Sequence, residues 1–254
     1  MGSKMINREY YITLKNELYN SNNITNEELV ILSLIKRNYS PIKEISIISI
    51  NMIMNYMYVL NRNSNMIKII KNSINNLISK GYIKQIMNLH YSPIEFDTIK
   101  NQDVFYVEIE NDFDNYFCIY DYDLDKIFKY LHNTNIDRFA FVRYYIAIQR
   151  VINNDAQFGW LTHNSIKNII YHSKTISKYN KILANELNLI IYNNDYMTPD
   201  RHYCSTYFGK YGDNVNFNKQ LQIEISAKGL IYTNKFNSNI KRSNTQKRNL
   251  TKLN

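Results

Sequence analysis

The sequence predicts a mixed α+β protein, mainly helical, made of two consecutive units that share one order of elements: helix, helix, longer helix, strand pair. Three observations predict it. Apolar residues recur at helical spacing in two well-separated stretches, residues 64–80 and 174–187. Each stretch is preceded by shorter helical segments and followed by runs that alternate like strands. A chain of 254 residues is also long enough for two small domains, each burying its own apolar core.

In the first unit, Thr25 stands before Asn26, Glu27 and Glu28 and an apolar series of Leu29, Leu32 and Ile35, with Glu28 at the third position of a capping box. The first helix starts there. After a break at Tyr39, Ser40 and Pro41, the dense apolar content of residues 45–57 predicts a second, buried helix. The third covers residues 64–80, where Ile67, Ile70, Ile74, Leu77 and Ile78 form the apolar side and Gly81 supplies the stop. Residues 82–86 read as a strand, and residues 104–109 return antiparallel to it after a long loop, making a wing.

A bridge rich in acids and aromatics, covering residues 108–125, leads to the second unit. Residues 138–152 form its first helix, with Phe141, Tyr144, Tyr145, Ile148 and Ile152 along one side. Thr162 is the expected cap of a short helix over residues 163–170, and Tyr171, His172 and Ser173 make a turn. The third helix, residues 174–187, buries Ile176, Tyr179, Leu183 and Leu187. Residues 190–192, a polar turn at 193–195, and apolar stretches near 203–208 and 221–225 are expected to build the second wing. From residue 226 onward there is no acid, while Lys228, Lys235, Lys241, Arg242, Lys247, Arg248 and Lys252 recur among polar residues. Beyond residue 236 the chain lacks the apolar surface to fold and reads as a mobile basic tail able to condense on phosphates. Residues 1–4, ahead of Met5, read as a cloning remnant, so the expected organisation is 5–110, a bridge over 111–135, 136–235, and a tail over 236–254.

Lys and Arg number 31 against 22 Asp and Glu, a net charge of +9 that favours a polyanionic partner, nucleic acid above all. The 23 Tyr carry less weight, since abundant Asn, Ile, Lys and Tyr with only 6 Gly follows from AT-rich codons. Cys118 and Cys204 are far apart and lack a CxxC spacing, which argues against a disulfide framework or zinc ribbon and fits a reducing cytoplasm. The uncharged run at 45–61 is interrupted by Ser46, Ser49, Asn51 and Asn55 and is shorter than the roughly 20 apolar residues of a membrane span.

The shared order is that of a winged helix-turn-helix, so two tandem units of that kind are expected. In such a unit a short helix holds a second one in the major groove, where base edges can be read. The residues that matter then lie opposite the buried stripe. In the second unit they are Lys174, Thr175, Ser177, Lys178 and Lys181, with Ser173 as helix cap and no carboxylate before Glu186. In the first unit they are Asn65, Lys68, Lys71, Asn72 and Asn75, with Arg62 just before; that helix is expected either to touch bases or to support a dimer. Lys84, Arg201, His202 and Lys210 are wing candidates for backbone or minor-groove contacts.

The string from His172 to Leu183, followed by Leu187-Asn188-Leu189-Ile190, resembles the recognition-helix phrase of winged-helix replication initiators and replisome organisers of plasmids and phages from AT-rich Gram-positive bacteria. Residues 71–83, ending Leu77-Ile78-Ser79-Lys80-Gly81-Tyr82-Ile83, resemble the helix-to-wing junction of the same proteins. The resemblance implies binding of double-stranded DNA at an origin or operator, often by a homodimer, and recruitment of replication proteins, with no catalytic residue carried over. It departs at His172, where the family carries Gly.

Enzymatic readings fare poorly. The metal-holding His-x-His of rolling-circle initiators is absent, His90, His132, His163, His172 and His202 are scattered, and neither a Walker-type loop nor Gly-x-Ser-x-Gly occurs. Asp121, Asp123 and Asp125 lack the Gly and distant Glu of a calcium loop, and Asp123 or Asp125 reads as the cap of a helix over 126–131. The expected function is therefore duplex DNA binding without catalysis, metal or cofactor, most simply as a replication initiator. The alternatives are a transcriptional regulator, a partition factor, and a winged-helix protein-interaction module.

Overall fold

The computed structural model describes residues 10–19, 21–109, 115–167, 169–170, 172–199 and 205–233. Arg201, His202 and the basic stretch beyond residue 236 lie outside them. The fold is mixed α+β, with 47% of the described residues in helix and 22% in strand, in several small antiparallel sheets, so helix predominates as expected. Among the described residues no helix is long and apolar enough to cross a membrane. The chain divides into two compact units, one made of residues 1–150 and 168–179 and the other of 151–167 and the chain from 180 onward.

The first unit opens with β1 (Tyr11–Lys15) and α1 (Asn26–Lys36). Thr25 and Glu28 close the expected capping box, each accepting a hydrogen bond from the other's backbone N–H. Residues 28–35 are buried all round, which makes α1 the central helix, packed by α2 (Ile50–Tyr56), α3 (Ser64–Ser79), β1 and β3 (Ile45–Ile48). Here the sequence expectation is corrected: residues 45–57 are a strand followed by a helix, with Ser49 accepting from the Met52 N–H as the cap between them. An apolar run of this kind does not by itself distinguish buried strand from buried helix. The β-branched series Ile45, Ile47 and Ile48 pairs with β5 (Phe105–Ile109), which also pairs with β4 (Ile83–Met87), while β2 (Tyr39–Ser40) extends the far edge. The helix over 64–80 and the strand pair that follows it lie where expected. Gly81, at φ 78°, ends α3 with the Tyr82 N–H reaching back to the Leu77 carbonyl.

Of the stretch read as a bridge, the described residues from 115 onward are structured within this unit. β6 (Tyr116–Tyr120) pairs with β1, and α4 (Asp121–Leu131) follows directly. The expectation that Asp123 or Asp125 caps this helix is corrected. Tyr120 precedes the helix with no side-chain cap; Asp123 is buried and accepts from the Tyr145 hydroxyl at 2.6 Å, and Asp125 accepts from the Tyr58 hydroxyl at 3.1 Å. With Asp121 paired to Arg37, the three carboxylates are drawn to three separate partners rather than to a shared cation. α5 (Arg138–Ile152) and α6 (Ser173–Lys181) begin in this unit, where Tyr179 meets Phe141 edge-on at 4.7 Å and Tyr144 at 6.1 Å. α6 gives way to a π-helical turn over Ile182–Glu186, so the predicted helix to 187 is regular only to Lys181.

The second unit is a three-stranded sheet, β7 (Phe158–Thr162), β10 (Ser205–Lys210) and β8 (Ile190–Asn193), with a small pair, β9 (Tyr196–Met197) and β11 (Ile231–Tyr232), and α7 (Asn214–Lys228). Residues 221–225, expected in the wing, belong to α7. Phe217, Leu221 and Ile225 stand four apart, a helical spacing that the reading by alternation missed, and they pack with Phe158 and Tyr207. The short helix predicted over 163–170 is only a 3-10 turn at Asn164–Ile166, although Thr162 does accept the Ser165 N–H as a cap would.

In chain order the elements repeat. The first set runs α1, β3, α2, α3, β4, β5; the second runs α5, β7, a 3-10 turn, α6, β8, β10. In both, the last strand lies between the other two, giving orders β3-β5-β4 and β7-β10-β8.

Candidate nucleic-acid interface

α3 buries Met66, Ile70, Ser73, Ile74 and Leu77, and its start is fixed by Asn63, which accepts from the Met66 N–H at 3.0 Å. The opposite side therefore faces water: Arg62, Asn65, Lys68, Asn72 and Asn75 are exposed and Lys71 is half-buried. Two of these are already engaged. Lys71 donates to the Ile99 carbonyl at 3.2 Å and Asn75 to the Asp97 carboxylate at 3.1 Å, so the loop between β4 and β5 folds back on the helix and brings an acid to it. The polar face left open is Arg62, Asn65, Lys68 and Asn72, toward the N-terminal half.

The turn leading into α3 is held from several sides. Tyr58 takes a left-handed backbone at φ 54°, a conformation that favours glycine. Its hydroxyl donates to Asp125, and its carbonyl accepts from His132 Nδ1 at 2.6 Å, which places the ring proton on that nitrogen. Arg138 donates to the neighbouring Met57 carbonyl. Burial raises the pKa of the Tyr58 phenol, and its hydrogen bond to Asp125 raises it further, so the donor stays protonated. None of these partners was legible in the sequence, because they lie on α4 and α5.

At the far end of α3, Glu28 is buried and accepts from Lys80, Asn76 and the Thr25 N–H. Burial opposes its ionisation, but these donors outweigh it and hold the carboxyl below its ordinary value. Lys80 is thereby committed to structure.

α6 is simpler. Its first-turn N–H groups, at Thr175 and Ile176, bond to the His172 carbonyl, so the cap position falls at His172 and Ser173 is the first helical residue. Ile176 and Tyr179 are buried, as are Leu183 and Leu187 beyond the helix. Burial drives the Tyr179 phenol up to about 12, with Asp137 adding to the effect. Lys174, Ser177, Lys178 and Lys181 are exposed and Thr175 is half-buried. Among the described residues no carboxylate pairs with these three lysines. Lys84 is exposed on β4 and Lys210 half-buried at the end of β10.

Arg143, missed by the sequence reading, is a buried charged group only 2% exposed. It donates to the carbonyls of Ile24 at 2.6 Å, Ser21 at 2.7 Å and Tyr19 at 3.3 Å and to Asn26 Oδ1, tying α5 to the loop ahead of α1. Its signal was a cation at mid-helix, between the apolar residues Val142 and Tyr144. Among the described residues no group of three His, Cys, Asp or Glu side chains is placed to hold a metal ion. Exposed lysines and amides on two helices can bind phosphates and base edges, and that is the chemistry the surface offers.

Compared with known proteins, the chain matches no protein-family model and no curated relative.

Proposed function

We propose that the chain is a sequence-specific duplex DNA-binding protein of two tandem winged helix-turn-helix units, and that it initiates replication of a plasmid or related mobile element by binding its origin. The observation that carries the reading is the repeated order of elements, in which a helix with an exposed polar and cationic side stands ahead of each strand pair. The resemblance of residues 172–190 and 71–83 to initiator phrases supports the biological role. Mechanistically, α6 lies in the major groove with Lys174, Lys178 and Lys181 near phosphates and Thr175 and Ser177 near base edges. α3 engages through Arg62, Asn65, Lys68 and Asn72. Bound protomers then distort the origin or recruit replication proteins.

The ties of Lys71 and Asn75 to the β4–β5 loop favour a division of labour, with α6 the principal reader and α3 supporting it or a dimer. A salt series decides between DNA binding and a protein-interaction module. Duplex affinity should fall steeply with salt, and Lys174→Ala with Lys178→Ala should weaken it and flatten the log–log slope by about two, one per lost phosphate contact. An unchanged slope removes α6 from the interface, and no duplex affinity at low salt ends the reading. Binding-site sequencing on the parent element separates initiator from regulator: repeats beside an origin mark the first, a palindrome over a promoter the second.

A further inference from the structure

The β1–β6 ribbon has one face in the core and one outside. Ile12, Leu14, Phe117 and Ile119 are buried, and the alternate residues pair outward as Tyr11 with Tyr120, Thr13 with Cys118 and Lys15 with Tyr116. Beside this face is a cavity of about 260 Å³, lined by Tyr10, Tyr11, Tyr39 and Tyr116 and by Lys36 and Arg37. Tyr10 is 78% exposed, Tyr11 60% and Tyr116 44%, so their rings do not serve the core. The Arg37 guanidinium lies over the Tyr56 ring, 4.3 Å from its centre, and is paired with Asp121, an acid that lines the cavity. Lys36 donates to the Thr13 carbonyl, which holds its ammonium over the ribbon.

We propose that this face binds single-stranded nucleic acid, with one unpaired base seated among the tyrosines. Size, surface and charge argue for that occupant. The cavity is smaller than the roughly 300–1,000 Å³ of sites that enclose a drug-sized molecule, so it takes one flat ring and leaves sugar and phosphate outside. Exposed aromatic rings offer the sequence-tolerant stacking that unpaired bases use, and duplex bases, already stacked on each other, have no free face to offer. Lys36 and Arg37 line the cavity beside the rings, where a phosphate chain would pass, and Asp121, which lines it with them, is paired to Arg37. The site is separate from α3 and α6 and does not depend on the duplex reading.

The test uses the full chain and a fluorescent thymidine strand of roughly 12 nucleotides, within the usual range of single-strand sites, beside a uridine strand and a duplex. Tyr11→Ala with Tyr116→Ala should weaken single-strand binding roughly tenfold or more. The pair Tyr11→Phe with Tyr116→Phe should retain it, since the ring and not the hydroxyl does the stacking. Duplex affinity should stay within about twofold of the parent in both. Preference between the thymidine and uridine strands identifies the ligand as DNA or RNA, and affinity for either supports the proposal. Photocross-linking of an iodouracil strand to the unsubstituted protein provides a readout that needs no variant, with adducts expected on Tyr11, Tyr116 or Tyr10. The proposal is overturned if neither strand binds at low salt, if the alanine pair binds as the parent does, or if cross-links map only to α3 and α6. Loss of duplex binding on Lys174→Ala with Lys178→Ala, while the strand still binds, separates the fate of this site from that of the duplex reading.

Discussion

Single charged and phenolic groups decide how the proposed reading helices are held. Glu28 joins the start of α1 to the end of α3, with its carboxyl held below the ordinary value of 4.5. A depressed folded-state pKa contributes stability that is complete above the unfolded value and lost as pH falls through the folded one. Glu28→Gln should therefore cost about 1–3 kcal/mol at neutral pH and flatten the acid limb of stability, as urea titrations across pH would record. Tyr179 titrates with the opposite sense. Its phenol is pushed from about 10 to about 12, so its contribution is complete below about pH 10 and disappears as pH climbs to about 12. In Tyr179→Phe the alkaline fall in melting temperature should be shallower; identical curves for the two proteins would remove Tyr179 from the alkaline transition. Both side chains sit on predicted helices and both were expected, Glu28 in a capping box and Tyr179 in a buried stripe; the contact of Tyr179 with Phe141 was not legible, because it is not a local pattern.

At the scale of elements, caps and close approaches set where helices begin and what they touch. Asn63, Ser49 and Thr25 each accept the N–H three residues on, fixing the starts of α3, α2 and α1. Gly209 marks the approach of α7 to β10: a Cβ there would stand 2.6 Å from the Phe217 ring. Gly209→Ala should destabilise the chain by about 1–3 kcal/mol through overpacking, read as a lower denaturant midpoint; an unchanged midpoint would mean that Phe217 yields at no cost. The helix over 138–152 was legible to its last residue because its apolar side is long and continuous. The strand at Ile45–Ile48 was not, since four apolar-rich residues satisfy either period until a pairing partner is known.

At the scale of the molecule, two sets of elements in the same order, each with a cationic helix ahead of a strand pair, predict a binding site with two halves. Under the proposed duplex reading, footprinting on a bound duplex should show Lys174→Ala with Lys178→Ala releasing protection in one half, and Arg62→Ala with Lys68→Ala releasing the other. A single protected half in the parent protein would mean that one unit makes no DNA contact. Under the same proposal a net charge of +9 would add affinity without adding sequence discrimination, so both variants should retain weak binding to unrelated duplex.

The sequence by itself determined α1, α3 and α5 and their buried stripes, the α1 capping box, the Gly81 stop and the outward placement of Lys68, Lys174, Lys178 and Lys181, but not α7. All of these are local or periodic features written over a few consecutive turns. Tertiary structure alone decided that residues 45–48 join a sheet, that Lys71 and Asn75 are taken by the β4–β5 loop, that Arg143 is buried among carbonyls from the loop ahead of α1, and that β1 meets β6 to gather four tyrosines around one cavity. Those outcomes depend on partners distant in the chain, and no local pattern of residue types encodes which distant groups will meet.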